Sequence, residues 1–224
     1  MLLKKQRTKI IAMGKQFMAA GLVHDGQGNL SIYDSASGYI AITPSAVPYA
    51  EREIEDICVV NLQGELIEGR WLPTSEIALH LIFYQQRNDV QAVVHTHAAF
   101  ATAFSITGQA VLPILLNESA MALGGPVPVA PYGRPGTQEL AQLTCDAAKD
   151  GNAAIMAHHG LVTVGSSLRE AYRATLAVEA TAQALFYARG MGGVVQALDD
   201  DEVFSLYEMG KNYVPQEVQR ALKR

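Results

Sequence analysis

The chain has 224 residues, of which 49% are hydrophobic and 17% charged, the balance of a globular protein with a sizeable core. A net charge of −5, with no basic run beyond Lys4, Lys5, Arg7 and Lys9, argues against a nucleic-acid partner. Cys58 and Cys145 make no disulfide framework, the N-terminus lacks the apolar core of a signal peptide, and no run approaches the ~18 apolar residues of a membrane span, so a cytoplasmic protein without membrane attachment is expected.

Leu2 to Ala20 reads as a helix, with Ile10, Met13 or Gly14, and Phe17 near helical spacing and Gly21 as its stop. The glycine-rich turn His24–Asn29 leads into alternating Leu30–Tyr33, which pairs with Tyr39–Thr43 as a hairpin. Pro44 and Pro48 break the pattern, Ile54–Asp56 is a short helical turn, and Ile57–Leu62 is a buried strand. Gln63–Glu65 turns into Leu66–Glu68. A helix runs from about Thr74 to Arg87, a strand over Ala92–His97, and an alanine-rich helix from Ala98 to about Ile106. Pro113 to Pro131 is broken by prolines, with one helical piece near Ser119–Leu123. Helix Thr137–Lys149, strand Ala153–Met156, a strand through Val162 and Val164, helix Ser167–Ala188 and helix Asp200–Met209 complete the chain. Short strands joined by hairpins and interrupted by helices predict a mixed, mostly antiparallel sheet with helices on both faces. No repeat, linker, phosphate-binding loop or dinucleotide fingerprint is present, and a single domain over 1–224 is expected.

Val93-Val94-His95-Thr96-His97 carries the clearest chemistry. Alternate side chains of a strand share a face, so His95 and His97 point the same way and can converge on one metal. Taken alone, the pair also fits two hydrogen-bonded histidines at a strand end. Glu76 upstream and His158-His159 downstream extend it to a set of nitrogen donors and a carboxylate suited to zinc. Adjacent residues of an extended segment point apart, so His158 and His159 do not both reach one ion. His80 lies one helical turn beyond Glu76, on the same face, either as a buried histidine or as support for the metal set. Asn29, Ser45, Thr74 and Ser75 are small donors on turns or at a helix start, where free N–H groups collect anions; helix capping explains Thr74 or Ser75 equally well.

The ordered set Gly28-Asn29-Leu30-Ser31, Ile42-Thr43-Pro44-Ser45, Leu72-Pro73-Thr74-Ser75-Glu76, Val94-His95-Thr96-His97 and His158-His159-Gly160-Leu161 resembles the class II aldolase/adducin family nearly end to end, with fitting spacings between motifs. The resemblance implies a three-layer α/β/α fold and a C4 homotetramer with active sites between subunits. It implies Zn2+, with Mn2+ or Co2+ as alternatives, on Glu76, His95, His97 and His159. Asn29, Ser45, Thr74 and Ser75 fall where the family holds a sugar phosphate. Glu76 falls at the acid/base. Glu118 falls where a neighbouring subunit supplies a tyrosine acid/base, and Tyr213 where a tyrosine covers the substrate. The implied reaction is cleavage of a ketose 1-phosphate to dihydroxyacetone phosphate and a short aldehyde through a metal-stabilised enediolate. A 4-epimerase, dehydratase or decarboxylase of the same family, and an adducin-like module without catalysis, are the alternatives. Asp25-Gly26-Gln27-Gly28-Asn29 departs from the usual Gly-Thr-small-Gly-Asn turn, and Ala46 replaces a usual glycine, which makes a carboxylated or smaller head group the competing substrate.

Overall fold

The computed structural model describes residues 1–45 and 47–211. Its centre is a nine-stranded sheet built from β1 (Asn29–Asp34), β2 (Tyr39–Ile42), β3 (Cys58–Asn61), β4 (Leu66–Glu68), β5 (Ala92–Thr96), β6 (Val111–Leu112), β7 (Val127–Ala130), β8 (Ala153–Met156) and β9 (Gly160–Gly165). The spatial order is β4-β3-β2-β1-β5-β9-β8-β7-β6. Every pair is antiparallel except β7 with β8, so the sheet is mixed and mostly antiparallel, as the strand spacing predicts. Strand β5 sits mid-sheet between β1 and β9, with Asn29 and Val162 both opposite His95.

The central strands are apolar on both sides and alternate between two cores. Leu30, Ala41, Val94 and Ile155 face one way, against α1 (Lys4–Ala19), α3 (Ala99–Phe104), α4 (Asn117–Leu123), α6 (Leu168–Gly190) and α7 (Asp200–Lys211). Ile40, Ile42, Val93, Ala154 and Met156 face the other way, against α2 (Ile77–Gln86) and α5 (Gln138–Ala147). Burial on both faces is what makes the strands continuous apolar runs, and it gives the three-layer α/β/α architecture.

The structure departs from the sequence reading at three places. Helix α2 begins at Ile77, so Glu76 precedes the helix rather than occupying its first turn, and its side chain caps nothing. The Pro113–Pro131 stretch is flanked by β6 and ends in β7; these strands of two and four residues, one containing Pro128, are too short to show a period. Helix α4 starts at Asn117, before Ser119. No helix among the described residues is long and apolar enough to cross a membrane.

Candidate active site and metal centre

The site forms where β5, the β8–β9 hairpin and the start of α2 meet. His95 continues the Val93 face of β5 toward α2, as period-two alternation requires, and is fully buried. Strands β8 and β9 pair Met156 with Gly160, leaving Ala157-His158-His159 as a tight turn. His158 adopts the left-handed conformation, with φ at 59°. The two histidines therefore part company through a turn, not through the extended alternation expected from sequence. His159 is half-buried against His95 and His97. His158 is exposed, its ring edge-on to Tyr132 at 6.2 Å.

Gly160 makes this convergence possible. A Cβ there would lie 2.5 Å from the Thr96 carbonyl oxygen and 3.3 Å from both the His95 and His97 rings. Only glycine lets β9 start this close to β5.

The ring nitrogens and the carboxylate converge. His95 Nε2 lies 3.0 Å from His97 Nε2 and 3.1 Å from Glu76 Oε2, and His159 Nε2 lies 3.3 Å from Glu76 Oε1. The potential ligand atoms of the three histidines all fall within 4.8 Å of one another. Tetrahedral bonds of 2.0–2.1 Å place neighbouring ligand atoms about 3.3–3.4 Å apart, close to these separations. His95 Nδ1 donates to the Leu161 carbonyl at 3.0 Å, which fixes the tautomer and leaves the Nε2 lone pair facing the cluster. Glu76 Oε1 and His159 Nδ1 are buried without a hydrogen-bond partner among the described residues. Lone pairs and a carboxylate gathered with too few protons among them fit a divalent cation.

Protonation states agree with that donor set. Burial pushes the Glu76 carboxyl up, but His95, Asn29 and His159 beside it outweigh burial and hold it well below the usual carboxylate range. Burial, then the neighbouring His95 and His159, takes His97 down to about 4, and burial lowers His159 as well. Neutral His97 and His159 beside an ionised Glu76 are the forms that bind metal.

The small polar residues fall into two groups. Ser45 N donates to Leu72 O and Thr74 N to Thr43 O, with Pro44 and Pro73 paired between them, so Ser45 and Thr74 share one short ladder that Ser75 follows directly in the chain, just before Glu76. Thr74 is buried and its hydroxyl accepts from Glu76 N at 3.3 Å. The Ser45 and Ser75 hydroxyls have no partner among the described residues. Asn29 is engaged differently: its Nδ2 donates to Glu76 Oε2 at 3.0 Å and its Oδ1 accepts from His80. Both polar ends of its side chain are thus engaged, one by the carboxylate and one by the imidazole.

Glu118 lies in the first turn of α4, exposed and without contact to Glu76 or the histidines within the protomer. Tyr213 lies outside the described residues, as does Ala46. Arg52 escaped the sequence reading. It is 5% exposed, its Nε donates to Val47 O at 2.8 Å and its guanidinium stacks on Tyr49, yet both Nη atoms are buried without a hydrogen-bond partner among the described residues. Only the run Arg52-Glu53-Ile54 before a short helical turn marked it in sequence, and that pattern normally signals a solvated charge.

Residues 8–186 match the family model for the class II aldolase and adducin N-terminal domain. The chain belongs to the class II aldolase and adducin family. It is 36% identical to a 5-deoxy-D-ribulose 1-phosphate aldolase of Bacillus thuringiensis serovar kurstaki, over 95% of this chain and 99% of that one. A 3-oxo-tetronate 4-phosphate decarboxylase of Haemophilus influenzae is 29% identical over 92% of this chain and 98% of that one. A solved L-fuculose 1-phosphate aldolase superposes with a TM-score of 0.88 at 32% identity, covering 92% of this chain and 96% of that one. Aldolase relatives along nearly the whole chain make it an enzyme of the family, not an adducin-like module.

Proposed function

We propose that the chain is a metal-dependent aldolase that cleaves a ketose 1-phosphate, of the L-fuculose or 5-deoxypentulose 1-phosphate kind, into dihydroxyacetone phosphate and a short aldehyde. The observation that carries this reading is the convergence of Glu76 with His95, His97 and His159 at 3.0–3.3 Å. A divalent cation held there, Zn2+ first and Mn2+ or Co2+ as alternatives, supplies Lewis acidity that polarises the substrate carbonyl. His95, His97 and His159 would hold the ion without Glu76, which would leave that carboxylate free for acid/base work when substrate enters. Glu76, ionised at rest, would take a proton from solvent once released and pass it to C3, the carbon freed when the C3–C4 bond breaks. The proton on the C4 hydroxyl must leave as that carbon becomes the aldehyde. Glu118 of a neighbouring protomer is assigned this step, with Tyr213 closing over the substrate.

Ser45, Thr74, Ser75 and the Asn29 turn are assigned the phosphate. The free hydroxyls of Ser45 and Ser75 and the ladder that joins Ser45 to Thr74 support this, and so does Arg52 on the loop after Ser45, whose two Nη atoms are buried without a hydrogen-bond partner among the described residues. A buried charge without a partner is costly, so an anion nearby offsets it. We place the chain in a homotetramer with C4 symmetry, in which the exposed Glu118 would reach the far side of a neighbouring protomer's substrate. We place this single-domain enzyme in the cytoplasm.

The decarboxylase relative favours one second reading, in which the same cluster acts on a sugar-acid phosphate; an epimerase or dehydratase uses the same residues. Incubating the purified protein with ketose 1-phosphates and 3-oxo-acid phosphates, with products resolved by mass, tests the assignment. Dihydroxyacetone phosphate and free aldehyde are expected. Carbon dioxide release, an isomer of unchanged mass, or loss of water would move the assignment to the decarboxylase, epimerase or dehydratase.

A further inference from the structure

We propose that His80 is a positioning residue for Glu76: its imidazole sets the orientation of the Asn29 amide, and that amide sets the carboxylate facing the three histidine nitrogens. The inference rests on the assignment of Glu76 above. A buried chain of hydrogen bonds carries it. Asn29 Nδ2 donates to Glu76 Oε2 at 3.0 Å, His80 Nε2 meets Asn29 Oδ1, His80 Nδ1 meets Ser31 Oγ at 2.6 Å, and Ser31 Oγ meets Tyr84 OH at 2.6 Å. Asn29, Ser31, His80 and Tyr84 are at most 6% exposed.

The protons along this chain are fixed from the carboxylate end. An ionised Glu76 only accepts, so Asn29 must turn its NH2 toward it and its oxygen toward His80. That oxygen also only accepts, so His80 carries its proton on Nε2. In the neutral ring Nδ1 must then accept, so Ser31 donates to it and accepts in turn from the Tyr84 hydroxyl. Burial lowers the His80 pKa to about 3, which keeps the ring neutral and this direction unchanged. Without the Nε2 proton nothing prevents the Asn29 amide from turning its oxygen to the Glu76 carboxylate, which would repel it.

The chain is not a proton relay. An amide does not accept a proton on one side and release one on the other at useful cost, so transfer stops at Asn29. What passes through it is orientation. Strand β1 supplies Asn29 and Ser31 on one face two residues apart, and α2 supplies His80 and Tyr84 one turn apart, so the β1–α2 packing builds the whole array from two regular spacings. Partners that orient a metal's own ligands typically change affinity or activity 10–100-fold when removed.

The test uses the full chain and Zn2+ alone. Zn2+ dissociation constants, from competition with a chelator, and steady-state kinetics on a ketose 1-phosphate are compared for wild type, His80→Gln, His80→Asn and His80→Leu. The Gln amide reaches the Nε2 position and keeps a donor to Asn29, whereas Asn reaches only the Nδ1 position. The expected result is that His80→Gln stays within about threefold of wild type, while His80→Asn and His80→Leu bind Zn2+ about 10–100-fold more weakly and lose kcat with KM little changed. If His80→Leu does not fold, the Asn and Gln pair decides. Equal losses in Asn and Gln, or no weakening in Asn, overturn the positioning role and leave the metal assignment standing. A wild-type protein that binds no Zn2+ overturns the metal assignment, and the positioning role with it.

Discussion

His95 and Glu118 were assigned to the two sides of one substrate, and the protomer treats them in opposite ways. His95 is fully buried, its tautomer set by the Leu161 carbonyl and its ring held between Glu76, His97 and the start of β9. Glu118 stands exposed on α4, clear of the cluster. The cluster of Glu76 with three histidines is completed within one chain, by β5, the β8–β9 turn and the segment just before α2. The far side is left open, and under the proposed function it is closed by a second chain. Changes on the two sides should therefore differ in kind: one set removes the ion, the other removes proton transfer while the ion stays.

The largest expected effect is on the inner side. His95→Ala and His97→Ala should each take metal content and cleavage to background in a protein that remains folded, read by elemental analysis and circular dichroism. Full metal and activity in either variant would remove the basis for the cluster. Next, Glu118→Gln should lower kcat at least about a hundredfold with metal content and assembly unchanged, the range for removing a positioned acid/base. A loss under about threefold would limit Glu118 to favouring the N-terminal turn of α4, and Tyr213→Phe should then show the missing loss. Smaller still, Ser45→Ala and Ser75→Ala should raise KM about tenfold at nearly constant kcat, the equivalent of ~1.5 kcal/mol for a hydrogen bond to a charged group. Matching losses in kcat and kcat/KM would instead place these hydroxyls at the reacting carbons.

How much of this was legible in the sequence follows from range. The β1–β2 hairpin, β5 and the long helix α6 obey local periodicity and appear nearly where the pattern puts them. The His95 and His97 pairing is equally local, although β5 ends at Thr96 and His97 stands one residue beyond the strand that the pattern extends to it. Strands β6 and β7 were missed because pairing, not composition, makes them, and Pro128 hides the second. The site's finer parts depend on contacts far apart in sequence. Asn29 reaches Glu76 and His80 across 47 and 51 residues, so no window around Gly28-Asn29 could separate a carboxylate-orienting amide from a head-group donor. Arg52 reads as an ordinary surface charge until folding buries it over Tyr49. Glu76 reads as part of the first helical turn because Pro73-Thr74-Ser75 looks like a capping sequence, but the helix begins at Ile77 and Glu76 stands just before it.

The central claim is that Glu76, His95, His97 and His159 hold a divalent cation essential for carbon–carbon cleavage. It is tested most directly by assaying release of dihydroxyacetone phosphate from a ketose 1-phosphate before chelation, after chelation, and after adding back Zn2+, Mn2+ or Co2+. The account predicts cleavage that disappears with chelator, returns with metal, and is untouched by sodium borohydride in the presence of substrate. Full cleavage by the metal-stripped protein, with inactivation by borohydride, would contradict it and point to a lysine Schiff base instead.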